Sequence, residues 1–367
     1  MNSKGLSLLA PGEMVQSTRN KKIQLTLSPQ AARYAHPDAP LERRRMAAHG
    51  TLPLEATDLV HGLFVLAHDT DTDVAITARK TLQGLPPAIV ESLLDGPVHP
   101  ALLARLTRIH QDDDTLCQAL ALHPDIEDRT LAFLAGLPHR HVVDIISQNQ
   151  ERLIRSEAIV EALGGNPLTG RAVVERILAL YDDDAEEEAW QDPDWSEDQL
   201  TQAVLAVVGS NEADLARVMA SEEEVEEESV KQNLFASLQG MSVMQKIKLA
   251  RIGGKEARSL LIKDRNKVVA TAVLASPKIT ESEVATIAQS RVVAEEILRI
   301  IATQKDWTRS YGIKLALCTN PKTPRPQAVK FLNYLREKDL RALMKSRDVP
   351  SVISTHARRI LSKKGKI

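Results

Sequence analysis

The chain has 367 residues, enough to bury a large core or to divide into two or three domains, and it is 43% hydrophobic but only 3% aromatic. Small aliphatics at close spacing with few large rings favour helices packed on helices over a β-rich architecture. Its two cysteines, Cys117 and Cys318, lie far apart in apolar runs; this excludes a disulfide framework or thiolate metal site and fits a reducing compartment.

The net charge of −2 averages over a strong asymmetry. Residues 1–181 carry 18 basic and 21 acidic side chains, 182–228 carry 1 and 18, and 229–367 carry 28 and 10. The chain is therefore near neutral, then strongly acidic, then strongly basic.

In chain order, residues 1–28 lack apolar periodicity and are expected to form a flexible tail. The apolar run from Leu6 to Ala10 is broken by Pro11, too short for a signal segment, and no later run approaches the ~20 apolar residues that span a bilayer. A cytoplasmic protein with no membrane insertion is expected.

Residues 29–181 are expected to form a first block of helical repeats. A shift of 43 places Leu116 on Ile159, Leu120 on Leu163, Pro124 on Pro167 and Leu131 on Val174. The aspartates 112–114 fit a helix N-terminus better than a cation loop, which needs carboxylates alternating around a glycine. His139 and His141 flank Arg140, a weak metal pattern without a third ligand. Gln148-Asn149-Gln150 is expected to start a helix running to Leu163 and to satisfy loop carbonyls between repeats.

Residues 182–228 read as an acidic insertion with helices near 200–208 and 213–219. Trp190 and Trp195, two of three tryptophans, stand among acidic side chains there and resemble a short docking motif. Residues 229–367 form a second, basic repeat block. A shift of 44 places Arg265 on Arg309, Val269 on Ile313, Ala272 on Ala316 and Pro277 on Pro321. Each unit ends a helix at His, Ser or Asn before Pro, where the proline ring disfavours helical backbone in the preceding residue. Thr280 with Glu283 forms a capping box for a helix over 281–289. Gly253-Gly254-Lys255 lacks the earlier glycine and the following hydroxyl of a phosphate loop, so it reads as a helix end and a new start.

The strings VLASPKITESEV (273–284) and ALCTNPKTPRPQAV (316–329) resemble the turn of leucine-rich-repeat-variant and HEAT-like helical repeats. KEARSLLIKDRNKVVATAVL (255–274) is also similar to a group of bacterial helical-repeat proteins. The resemblance covers roughly 100–181 and 240–361 and implies an all-α fold, an αα-superhelix, in two blocks. Some relatives carry iron–sulfur clusters beside such repeats; two isolated cysteines do not supply one.

No nucleophile elbow, zinc-protease motif or Cys–His pairing is present, so a binding protein without cofactor or metal is expected. The expected function is a scaffold for a protein partner, with self-association as a further option. The acidic segment would dock on the basic block or on that partner. The alternative is nucleic-acid binding through 229–367. Candidate contact residues are Trp190, Trp195, Trp307, Arg309, Arg325, Arg341, Arg347, Arg358 and Arg359, with Trp307, Arg309 and Tyr311 forming a possible stacking platform.

Overall fold

The computed structural model describes residues 27–181, 197–209, 213–223, 228–346 and 348–363; among them are twenty-four α-helices, one 3-10 turn and no strand. The protein is all-helical, as its composition and periodicity imply. The chain divides into two compact units after Thr130, a point inside helix α8 (Asp128–Ala135). The division by contact thus falls well before the charge step near residue 181.

In the first unit, α1 (Pro29–Ala35), α2 (Leu41–Ala48), α3 (Ala56–Leu66), α4 (Thr72–Gln83), α5 (Pro87–Leu94), α6 (Pro100–Ile109) and α7 (Asp114–Leu122) follow in chain order. Short polar residues set their starts: Asp71 accepts Asp73 N and Val74 N, and Asp113 accepts Leu116 N. His99 does the same with its ring Nδ1, which accepts Ala101 N ahead of Pro100. Helices α1, α3, α5 and α7 pack in a row and α2 packs on α4. Val60, Leu63, Val90, Leu93, Leu116 and Leu120 close the core between them. Each such side chain contributes about 1.5–3 kcal/mol by leaving water.

The second unit continues with α9 (Arg140–Ser147), α10 (Gln150–Arg155), α11 (Glu157–Gly165) and α12 (Arg171–Leu180). It resumes with α13 (Glu197–Val208), α14 (Ala213–Ala220), α15 (Glu228–Gly240), α16 (Val243–Ile252), α17 (Lys255–Leu261), α18 (Lys267–Leu274), α19 (Glu281–Gln289) and α20 (Glu295–Thr303). A 3-10 turn, Trp307–Arg309, leads to α21 (Tyr311–Thr319), α22 (Arg325–Leu332), α23 (Glu337–Lys345) and α24 (Ser351–Lys363). Thr280 and Glu283 do form the capping box of α19. Helices α11 and α12 pack on α18, and the Glu157 carboxylate accepts the Met244 N–H at 2.9 Å at the start of α16. The helices on either side of the acidic stretch therefore share one core.

One side-chain device recurs where the sequence has a residue before proline. In the first unit His123 reaches from its turn to Gly96 O at 3.0 Å. In the second, Asn166 donates to Ala135 O and Leu137 O at 2.7 and 2.8 Å. Ser276 donates to Arg251 O at 2.8 Å, and Asn320 donates to Ala288 O and Ser290 O at 2.8 and 2.9 Å. Each pre-proline side chain thus satisfies carbonyls left open at the end of an earlier helix, about thirty residues back. An Asn320→Ala variant is expected to lose about 2 kcal/mol, because those carbonyls lose their donor. A urea melt reads this directly; a loss below about 0.5 kcal/mol would remove the ladder's energetic role.

The carbonyl-satisfying role expected of Gln148-Asn149-Gln150 belongs instead to Asn166 and Asn320. All three residues at 148–150 are exposed, and Asn149 caps α10 by accepting Arg152 N at 3.2 Å. The helix expected to run to Leu163 is also two helices, broken at Ser156, whose backbone is extended at φ −124° and ψ 98°. The break opens the Leu153 carbonyl, and the Tyr181 hydroxyl donates to it at 2.7 Å.

Candidate functional site

The downstream part of the acidic segment is built into the second unit. Helix α13 packs on α16, α14 packs on α17, and Val204, Ala216 and Met219 are fully buried. Gln245 of the α16 capping box also donates to Val207 O at 2.8 Å. After α14 the chain crosses Gly253 and Gly254, and Gly254 N donates to Met219 O at 2.6 Å. A Cβ on Gly254 would lie 1.8 Å from Ser221 O, so glycine is required there by close approach, with φ at an ordinary −75°.

That crossing delivers Glu222 to Arg258. The Arg258 side chain is 1% exposed and donates to Glu222 at 3.0 and 2.6 Å, to Glu283 at 3.0 and 3.2 Å, and to Gly253 O at 2.7 Å. A buried guanidinium is tolerable because two carboxylates and a carbonyl meet its fork. Burial raises the Glu283 pKa, but hydrogen bonds from Arg258 and Thr280 and the Arg258 charge outweigh it, leaving the carboxyl below its ordinary value.

Beside this cluster, helices α15, α17 and α19 bound a cleft of about 370 Å³. Lys255, Ser259 and Lys263 line one wall at four-residue spacing, and Ser282, Thr286 and Ser290 line another at the same spacing. Lys231 comes from α15, and Ile262, Ile287 and Val293 supply apolar floor. The cleft is therefore lined by three lysines, four hydroxyl side chains and apolar side chains. Glu256 and Glu283 also line it, and Glu283 is engaged by Arg258.

Much of the positive charge of the second block is engaged internally. Lys246 pairs with Asp264 at 3.1 Å. The Lys267 ammonium donates to Asn166 O, Pro167 O and Thr169 O, and its pKa is lowered by burial against the partial opposition of Glu296.

Trp307 is half-buried in the 3-10 turn, and exposed Arg309 pairs with Asp306 at 3.4 Å. Tyr311, next to them, donates its hydroxyl to Asp339 and accepts Arg336 N at 3.0 Å, while the Arg336 guanidinium lies 4.8 Å over its ring. Arg325, Arg341, Arg358 and Arg359 are exposed on α22, α23 and α24. Among the described residues, none of these expected contacts lines the cleft. Trp190, Trp195 and Arg347 lie outside the described residues.

Burial pushes both cysteine thiols up to about 12, with Asp112, Asp113 and Asp114 adding to the effect at Cys117. Both stay protonated and pack as small apolar groups. His139 is the N-cap residue of α9, and among the described residues no group of three His, Cys, Asp or Glu is placed to hold a metal ion. No described helix is long and apolar enough to cross a membrane. Compared with protein-family models, curated proteins and solved structures, the chain matches none.

Proposed function

We propose that the chain is a non-catalytic scaffold of repeated helix pairs, in the manner of HEAT-like stacks, that holds an acidic segment of a protein partner. The observation that carries this is the lysine- and hydroxyl-lined cleft between α15, α17 and α19. Glu222 supplies a precedent beside it, since a glutamate from an acidic stretch already sits on Arg258. The +18 surplus of the surrounding block adds long-range attraction for such a partner.

The test is fluorescence polarisation of a labelled Glu-rich peptide containing leucines, against the full chain. Affinity is expected to fall at least about tenfold in a Lys231→Glu, Lys255→Glu, Lys263→Glu variant. It should also weaken between about 50 mM and about 500 mM salt. Unchanged affinity in the variant would remove the cleft as the site.

Nucleic-acid binding through residues 229–367 is the second reading, supported by the same charge surplus. Coverage of the Tyr311 ring by Arg336 weighs against it, because a base would have to displace that guanidinium. A single-stranded oligonucleotide that outcompetes the peptide would favour this reading over the first.

A further inference from the structure

The two carboxylates on Arg258 are held unequally. Glu283 lies on α19 with its side chain 12% exposed, and besides the guanidinium its Oε2 accepts the Thr280 N–H and the Thr280 hydroxyl, each at 2.9 Å. Those bonds are part of the capping box of α19, so Glu283 cannot leave without unfastening a helix start. Glu222 belongs to no helix, and its side chain is 49% exposed. The bonded crossing ends just before it, where Gly254 N donates to Met219 O and the Ser221 backbone is pressed against Gly254. Glu222 can therefore turn out into solvent while the crossing stays closed.

The donors of the guanidinium are fully allotted. Nε and Nη2 serve Glu283, Nη1 and Nη2 serve Glu222, and Nη1 also serves Gly253 O, which uses all five N–H groups. A further carboxylate gains this fork only by replacing one of the two, and Glu222 is the one that can be replaced. Arg258 is itself a wall residue of the cleft between α15, α17 and α19. Lys278 feels the same pair: burial lowers its pKa, the Glu222 charge opposes that, and the Arg258 charge adds to it. Departure of Glu222 leaves both cations without it, which favours an anion as its successor. The adjacent Nη1 and Nη2 donors that Glu222 meets with two oxygens favour a planar carboxylate.

We infer that the Glu222 side of the Arg258 fork is an exchangeable carboxylate site, filled by Glu222 in the free chain and by a carboxylate of the acidic partner in the complex. The inference rests on the cleft reading above only for the identity of the incoming carboxylate. Glu222 is then an internal competitor, and the apparent affinity for the partner is reduced by the fraction of chains whose fork it occupies.

Two arms on the full chain test this, with helical circular dichroism recorded for each variant to verify folding. The first is chemical rescue. Glu222→Ala removes the resident carboxylate and opens its place to solvent. Acetate, exchanged for chloride at fixed ionic strength, is expected to raise the Tm of this variant saturably, by about 2 °C beyond its effect on wild type. Glu223→Ala, which makes the same change of charge one residue on, should respond to acetate as wild type does. No excess response of Glu222→Ala, an equal response from Glu223→Ala, or a larger rescue by inorganic phosphate would overturn the proposal.

The second arm is polarisation of the labelled Glu-rich peptide. Glu222→Ala should bind it about threefold tighter than Glu223→Ala, since both lose one negative charge and only the first loses the competitor. Equal affinities would overturn the exchange. The two readings fail separately. Weakening by the triple lysine variant with no difference between the glutamate variants keeps the cleft and sinks the exchange. Acetate rescue without peptide binding keeps the carboxylate site and removes the peptide as its occupant.

Discussion

Arg258→Met is expected to lower the stability of the second unit by about 3 kcal/mol, because Glu283 keeps its burial and loses its main partner. The Glu283 side chain is only 12% exposed, whereas Glu222 is 49% exposed, so most of the cost lies on the Glu283 side. Glu222→Gln should therefore cost far less, below about 1 kcal/mol, as a half-exposed pair does. In a unit of this size the arginine substitution corresponds to a fall in Tm of about 6–12 °C. The pH dependence gives an independent sign. Glu283 titrates below its ordinary value of 4.5 when folded, so the stability it contributes is present above that pH. It is lost as pH falls through the depressed folded value, and removing Arg258 should shrink that acid-side slope. A melt series from neutral to acid pH checks both; an Arg258→Met melt matching wild type would dismiss the cluster as a stabilising element.

Gly254→Ala is the second large effect. The added methyl would meet backbone, Ser221 O at 1.8 Å and Ser221 C at 2.5 Å, so no side chain can rotate to make room. The segment 219–221 must move away, breaking the Gly254 N to Met219 O bond and withdrawing Glu222 from Arg258. A loss of about 3 kcal/mol is expected from overpacking and the broken bond, against a gain of at most about 1 kcal/mol from a stiffer unfolded chain. The distinguishing readout is coupling. Once Gly254→Ala has displaced the segment, Glu222→Gln should cost nothing further, and full additivity of the two substitutions would contradict the crossing.

These two residues show how unevenly the structure was legible in the sequence. The helix pairs could be read because proline marks the backbone wherever it stands, and the positions before Pro124, Pro167, Pro277 and Pro321 each became a carbonyl partner. Thr280 and Glu283 were equally readable, since a capping box is a local interaction between residues three apart. Glu222 was not readable, because it stands in a run of six glutamates interrupted only by Val225 and nothing local distinguishes the one that meets Arg258. The break at Ser156 was hidden for a related reason: serine is tolerated within a helix, and its partner Tyr181 is contributed from 28 residues beyond Leu153. The lysine and hydroxyl stripes of α17 and α19 were present as a four-residue period, but they were masked by an overall surplus of charge.

The pre-proline ladder also has a direction. In each of its rungs the donor lies downstream of the carbonyls it satisfies, so a helix end is completed only after the next turn exists. During synthesis from the N-terminus, the Ala288 and Ser290 carbonyls must wait for water alone until Asn320 has left the ribosome. A chain that ends before Asn320 would therefore leave the Ala288 and Ser290 carbonyls without that side-chain donor.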